Sequence, residues 1–228
     1  MPRALIRAER NTKYGLRLTE FFRVPVPEEF SNLVDLYEIR YKNLDSIYVT
    51  AIEDFENKTL SSLNDDDVES ILRPYLMKWG LMGRVLGIRG CKRVGRKLRA
   101  MDLQLTKLRH EDLSEIDLDD NVAQKSTDVY DEIMNARWNS DMGRSKRVGP
   151  TAASKALHLV APNLFMIWDR KIRNYYELGD NGGEYVRFLL NMKRWLKKLE
   201  PTIMKLQDKY QKSCTKIIDE YNWIKSRT

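Results

Sequence analysis

Apolar residues recur at three- and four-residue steps along nearly the whole chain. Phe30, Leu33, Tyr37, Leu44, Ile47, Ala51 and Phe55 keep that spacing or multiples of it. They predict one long helix, or two in line, over residues 28 to 57. Pro25 and Pro27 precede it, where proline is tolerated. Asn64 reads as an N-cap with Asp67 at the capping-box position, and Val68, Ile71, Leu72, Tyr75, Leu76 and Trp79 carry that helix onward. Pro74 should kink or split it. Cys91, Val94, Leu98, Met101, Leu105 and Leu108 form a clean stripe.

The acidic stretch from Glu111 to Glu132 reads first as a loop, then as a helix from about Thr127 to Trp138. Gly149 and Pro150 open the next helix and Pro162 ends it. A short helix over Asp169 to Leu178 and a turn at Asp180 to Gly183 follow. Two more stripes come last: Tyr185, Phe188, Met192, Trp195 and Leu199, then Ile203, Leu206, Tyr210, Ile217, Tyr221 and Ile224. No stretch alternates well enough to predict a strand, although Val24 to Val26 is extended. The expectation is a compact all-α, multi-helix fold. Residues 1–200 form its helical domain. Residues 201–228 supply a C-terminal helix that packs on it or meets a protein partner.

Length and composition narrow the classes. A chain of 228 residues can bury a core without disulfides. Cys91 and Cys214 are the only cysteines, and His110 and His158 the only histidines, so no zinc site is expected. No cofactor is implied. The N-terminal residues lack an apolar signal core. The longest uncharged apolar run, Ala156 to Trp168, is too short to span a bilayer. An intracellular location, in cytoplasm or with the nucleoid, and no membrane partner are the expectations.

The formal charge is +7, and its distribution matters more than the sum. Between Glu69 and Asp102 lie nine cations and no acid: Arg73, Lys78, Arg84, Arg89, Lys92, Arg93, Arg96, Lys97 and Arg99. Gly80, Gly83, Gly87 and Gly90 step by three and four. On a helix they would bare one face for the close approach of a backbone. This surface predicts phosphate binding, affinity without sequence choice. A solvated basic face, neutralised by the later acidic stretch, is the plainer alternative.

The run GPTAASKALHLVAPNLFMIWD, residues 149 to 169, holds the candidate chemistry. Thr151, Lys155 and His158 share one helix face. The helix start at Gly149, beside Arg144, Lys146 and Arg147, offers N–H groups to an anion. Trp168 offers a ring for stacking on a base, beside Asp169. Each has a structural alternative: Asp169 as a helix cap, Lys155 as an ion-pair partner, His158 and Trp168 as core.

The run VGPTAASKALHLVAPNLFMIWDRKIR resembles the signature region of the helix-hairpin-helix DNA glycosylases, the superfamily related to endonuclease III. Val148-Gly149 matches the end of the hairpin, Thr151-Ala152 the helix start, Asp169 the aspartate, and Ile172 an aliphatic position after it. Arg147 stands where the family has an earlier glycine, and Asn174 where it often has arginine. The resemblance implies a nucleic-acid partner, DNA in preference to RNA, and removal of a flipped damaged base with Asp169 as the catalytic carboxylate. The lysine of the strand-cleaving members would fall at Thr151, so simple base removal fits better. Lys155, one turn further on, is the only nearby amine. Alternatives are a non-catalytic nucleic-acid binder and a protein-interaction module with a basic face.

Overall fold

The computed structural model describes residues 22–82, 85–140 and 142–228. The first two helices are α1 (Pro27–Tyr41) and α2 (Asp45–Glu56), separated by a tight turn at Lys42–Leu44. Pro27 starts α1 with its fixed φ, Glu28 and Glu29 lie in the first turn, and Arg40 lies in the last, all complementing the helix dipole. So the stripe of residues 28 to 57 is two helices.

The Asn64–Asp67 capping box forms as expected and opens α3 (Asp65–Asp67). The chain then continues in wider π turns, Val68–Leu72 and Pro74–Trp79. Proline cannot donate to the regular ladder, and the wider turn accommodates that loss. The segment ends with Gly80 N–H on Tyr75 O at 2.7 Å and Met82 N–H on Leu76 O at 3.0 Å.

Next come α4 (Gly87–Ala100) and α5 (Asp102–Leu108), which break at Met101 but keep one buried stripe. The expected glycine face does not form. Gly80 closes the π segment and Gly87 opens α4, so they do not share a helix; Gly83 lies outside the described residues. The close approach comes later in α4. A Cβ at Gly95 would lie 2.5 Å from Val68 Cγ2, and one at Gly90 3.1 Å from Trp138 Cε2.

Helix α6 (Asp120–Met134) starts earlier than expected, capped by Asp119, and stops before Trp138. The strands missing from the sequence reading follow: β1 (Arg137–Asn139) and β2 (Ser145–Arg147), an antiparallel ribbon. After it come α7 (Pro150–Val160), α8 (Arg170–Tyr175), α9 (Gly182–Lys198), α10 (Glu200–Tyr210) and α11 (Cys214–Lys225). Helix is thus the main regular structure of the described residues, and their one sheet is a two-stranded ribbon. Among them no helix is long and apolar enough to cross a membrane.

Helix α7 runs through the core. Every residue from Ala152 to Val160 is buried, and α2, α6 and the π segment all lie against it. Helix α11 runs along α1, with Tyr221 stacked on Phe30 at 4.9 Å between ring centroids. Its apolar stripe (Cys214, Ile217, Ile218, Tyr221 and Ile224) packs inward.

Candidate nucleic-acid interface and buried charge network

Two basic segments far apart in sequence meet in the fold. The ribbon lies on the start of α4, where Trp138 fits against Gly87 and Gly90. Arg89 Nη1 donates to Ser140 O at 3.5 Å. Arg137, Arg144, Lys146 and Arg147 are exposed on the ribbon. Lys146 Nζ sits 5.5 Å from the Trp138 ring centroid, and Arg147 Nη2 reaches Asp180 at 3.1 Å.

Not all the candidate cations face outward unpaired. Lys92 pairs with Asp65 at 2.8 Å and Glu69 at 3.3 Å, and Lys97 pairs with Glu132. Arg99 Nη1 donates to Leu63 O at 2.8 Å. For Lys92 and Lys97 the neutralised alternative is the better description, although the acids on Lys92 come from α3 and the turn after it; the carbonyl on Arg99 anchors its guanidinium without cancelling the charge. Arg96 is exposed and Arg93 half-buried. Arg84 lies outside the described residues, as does Asp141.

Gly149 adopts φ +85° at the junction of ribbon and α7, a conformation that favours glycine. No side chain caps the first turn of α7, and Thr151 there is half-buried. Ser154, one turn in, binds the backbone of Trp168: its Oγ lies 3.3 Å from Trp168 N and 3.4 Å from Trp168 O.

Trp168 is not a stacking platform. The ring is wholly buried against Tyr185 and Phe188, and Nε1 donates to Tyr130 Oη at 2.9 Å. The buried Arg173 guanidinium lies 5.6 Å from its centroid. A ring enclosed by core aromatics cannot receive a base.

Asp169 is the N-cap of α8, its Oδ1 accepting from Ile172 N–H at 2.9 Å. The cap leaves Oδ2 for another partner. That partner is Arg227, whose guanidinium stacks on Trp223 at 3.3 Å from the ring centroid. The Asp169 side chain remains 17% exposed.

Lys155 is buried. Its Nζ donates to Gly80 O at 3.1 Å and lies 4.9 Å from the Trp79 ring centroid. The carbonyl is available because the π segment ends there. Burial lowers the ammonium to about 8, against the charges of Asp219 and Asp169, which favour protonation. Asp219 is pushed up to about 7 by burial, with Lys216 and Lys155 opposing. His158 is the satisfied core residue: Nε2 meets Tyr48 Oη at 3.0 Å and Nδ1 meets Phe165 O at 2.6 Å. Burial lowers it to about 4.

Beside these lies a network the sequence reading did not find. Lys216, fully buried, donates to Glu220 at 2.9 Å and sits 4.6 Å from the Tyr37 ring centroid. Burial alone would lower Lys216, but Glu220, Tyr37, Asp45 and Asp219 outweigh it and hold it well above the ordinary range. Glu38, Asp45 and Glu220 bring their oxygens close enough for a metal. Lys212 Nζ occupies that position, bonded to Asp45 at 2.7 Å, to Glu220 at 2.6 Å and to Glu38. An ammonium serves as the cation there. Lys216 and Glu220 stand one turn apart on a helix that also carries an apolar stripe, but the same spacing is ordinary on solvated helix faces.

Comparisons with family models, curated proteins and solved structures found no match to this chain.

Proposed function

We propose that this chain binds duplex DNA across α4 and the ribbon, and hydrolyses the N-glycosidic bond of a displaced base with Asp169 as the catalytic carboxylate. One observation carries the reading. The half-buried Asp169 carboxylate starts a helix immediately after a loop held on α7, and α7 begins where the basic ribbon ends. A second path leads the same way: Arg147 of the ribbon pairs with Asp180, and Arg173 of α8 donates to Trp168 O at 3.4 Å.

The chemistry asks little more. Base departure leaves positive charge on the sugar, and a fixed carboxylate stabilises that charge or takes a proton from attacking water. The α8 N–H on Oδ1 fixes the carboxylate orientation. Arg227 must swing off Oδ2 before that oxygen can face a sugar. Lys155 is drawn toward the neutral amine but is engaged by Gly80 O, so base removal without strand cleavage is the favoured version. Borohydride trapping on abasic DNA would reveal a lysine adduct if Lys155 attacked the sugar.

The Arg227 contact also supports a second reading, a non-catalytic binder in which Asp169 only caps and pairs. A panel of duplexes carrying single damaged bases separates the two. Base release by wild type that Asp169→Asn loses, with duplex binding retained, supports the enzyme. Binding without release across the panel leaves the binder.

A further inference from the structure

The buried acids and lysines divide by whether a bond serves them. Lys216 Nζ has Glu220 at 2.9 Å, Tyr37 Oη at 3.3 Å and Asp45 at 3.4 Å. An ammonium carries three N–H donors, so Lys216 is fully committed. Lys212 likewise takes Asp45, Glu220 and Glu38. Asp67 has Lys58 at 2.8 Å and the Asn64 N–H. Asp219 on α11 differs from all of these. It is buried, 6% exposed, and no hydrogen bond or ion pair reaches its carboxylate from any described residue.

Lys155 is its counterpart. The side chain is equally buried, and Nζ commits one N–H to Gly80 O, 3.1 Å away. Two donors remain. Lys155 and Asp219 each feel the charge of the other and that of Asp169, yet no hydrogen bond or ion pair joins them. A buried charge left unserved is costly. The cost shows in the titration, burial pushing Asp219 up to about 7. One small group that accepts from Lys155 and donates to Asp219 satisfies both, and water is the smallest. Asp169 is nearer solvent, its side chain 17% exposed. Ser154, beside Lys155, holds the backbone of Trp168, beside Asp169.

We propose that Lys155 and Asp219 hold the water that attacks the sugar in base removal. This rests on the enzyme reading above. A water molecule has two lone pairs and two O–H bonds. Lys155 Nζ donates to one lone pair, and the O–H groups go to Asp219 and Asp169. The second lone pair is left for the sugar carbon. As the C–N bond to the base breaks, its electron pair leaves with the base, which takes a proton from solvent. The water oxygen bonds to the sugar carbon, and its proton passes to Asp169. Lys155 and Asp219 thus act as positioning residues that fix where the oxygen sits. A lysine used this way is not a nucleophile, in keeping with base removal without strand cleavage.

Two measurements on the full chain test this. A high-resolution crystal structure is expected to show one ordered water bonded to both Lys155 Nζ and Asp219. A direct Lys155–Asp219 pair, or no density between them, overturns the site whatever the activity. The second measurement compares base release by wild type and Asp219→Leu, with methanol added as a competing nucleophile. Asp219 makes no bond within the described protein, so the variant should be at least as stable in urea. Its kcat should fall about tenfold or more with KM unchanged, because the water is no longer placed. The share of methyl-glycoside product should rise. Asp219→Asn keeps an acceptor and should lose less. Wild-type kcat and an unchanged methanol share in the folded variants overturn the role. No base release by wild type from any damaged duplex overturns the enzyme reading, and the water's role with it.

Discussion

The guanidinium of Arg227 closes on the carboxylate of Asp169, 58 residues earlier in the chain, while its planar face lies on Trp223. The pair is partly exposed, with side-chain accessibilities of 19% and 17%, so water screens it and its worth to stability is modest. Arg227→Ala is expected to cost about 1 kcal/mol in urea unfolding. On the proposed reading it should leave base release intact or faster, because it frees the Oδ2 that Arg227 engages. Abolished release in a folded Arg227→Ala protein would make the arginine part of the reacting site.

Lys216 should be a highly sensitive charge, being fully buried. Its removal leaves Glu220, itself wholly buried, with only Lys212 as an ion-pair partner. Breaking one side of a buried pair costs about 3–5 kcal/mol. Lys216→Met is expected in that range by denaturant unfolding, and pairing it with Glu220→Leu should recover a large part. If the single substitution costs under about 1 kcal/mol, the network is not holding α11 to α1 and α2.

The buried histidine sets a pH dependence. His158 falls to about 4 in the folded chain because burial opposes its charged form. An unfolded histidine titrates near about 6.5. The unfolded state therefore binds more protons between these values, and stability is lost as pH falls from about 6.5 through 4. The loss from this group approaches about 3 kcal/mol. Asp219 works in the other direction. Burial raises it to about 7, so its contribution is greatest in acid and disappears as pH rises through 7. Imidazole chemical shifts should keep His158 neutral at pH 5.5; a midpoint near 6.5 would contradict the burial.

The helices were legible because their apolar faces are regular and their ends carry ordinary signals. Asn64 with Asp67, Pro150 and Asp169 each mark a helix start that forms. The ribbon was not legible. Each strand has three residues, and Ser145 to Arg147 is exposed throughout, so no alternation of burial exists to be read. The glycine spacing misled because Pro74 and the π turns end one helical phase before Gly87 opens another. The core alternative for Trp168 is the one that forms, whereas Lys155 meets a backbone carbonyl in place of the expected carboxylate. Burial is set by α6 and α9 around Trp168, and by the π segment around Lys155, all far away in sequence. The Lys212, Lys216 and Glu220 cluster lay hidden for the same reason: its acids on α1 and α2 come from the opposite end of the chain.

The most direct test of the whole account is the salt dependence of duplex DNA binding, measured by anisotropy for wild type and for Arg144→Glu with Lys146→Glu. With about five cations on phosphates, log K against log salt should fall with a slope of about −4.5, and the double charge reversal should weaken binding by tenfold or more and flatten the slope. Binding that ignores salt, or that the reversed ribbon leaves unchanged, would contradict a DNA surface built on α4 and the ribbon.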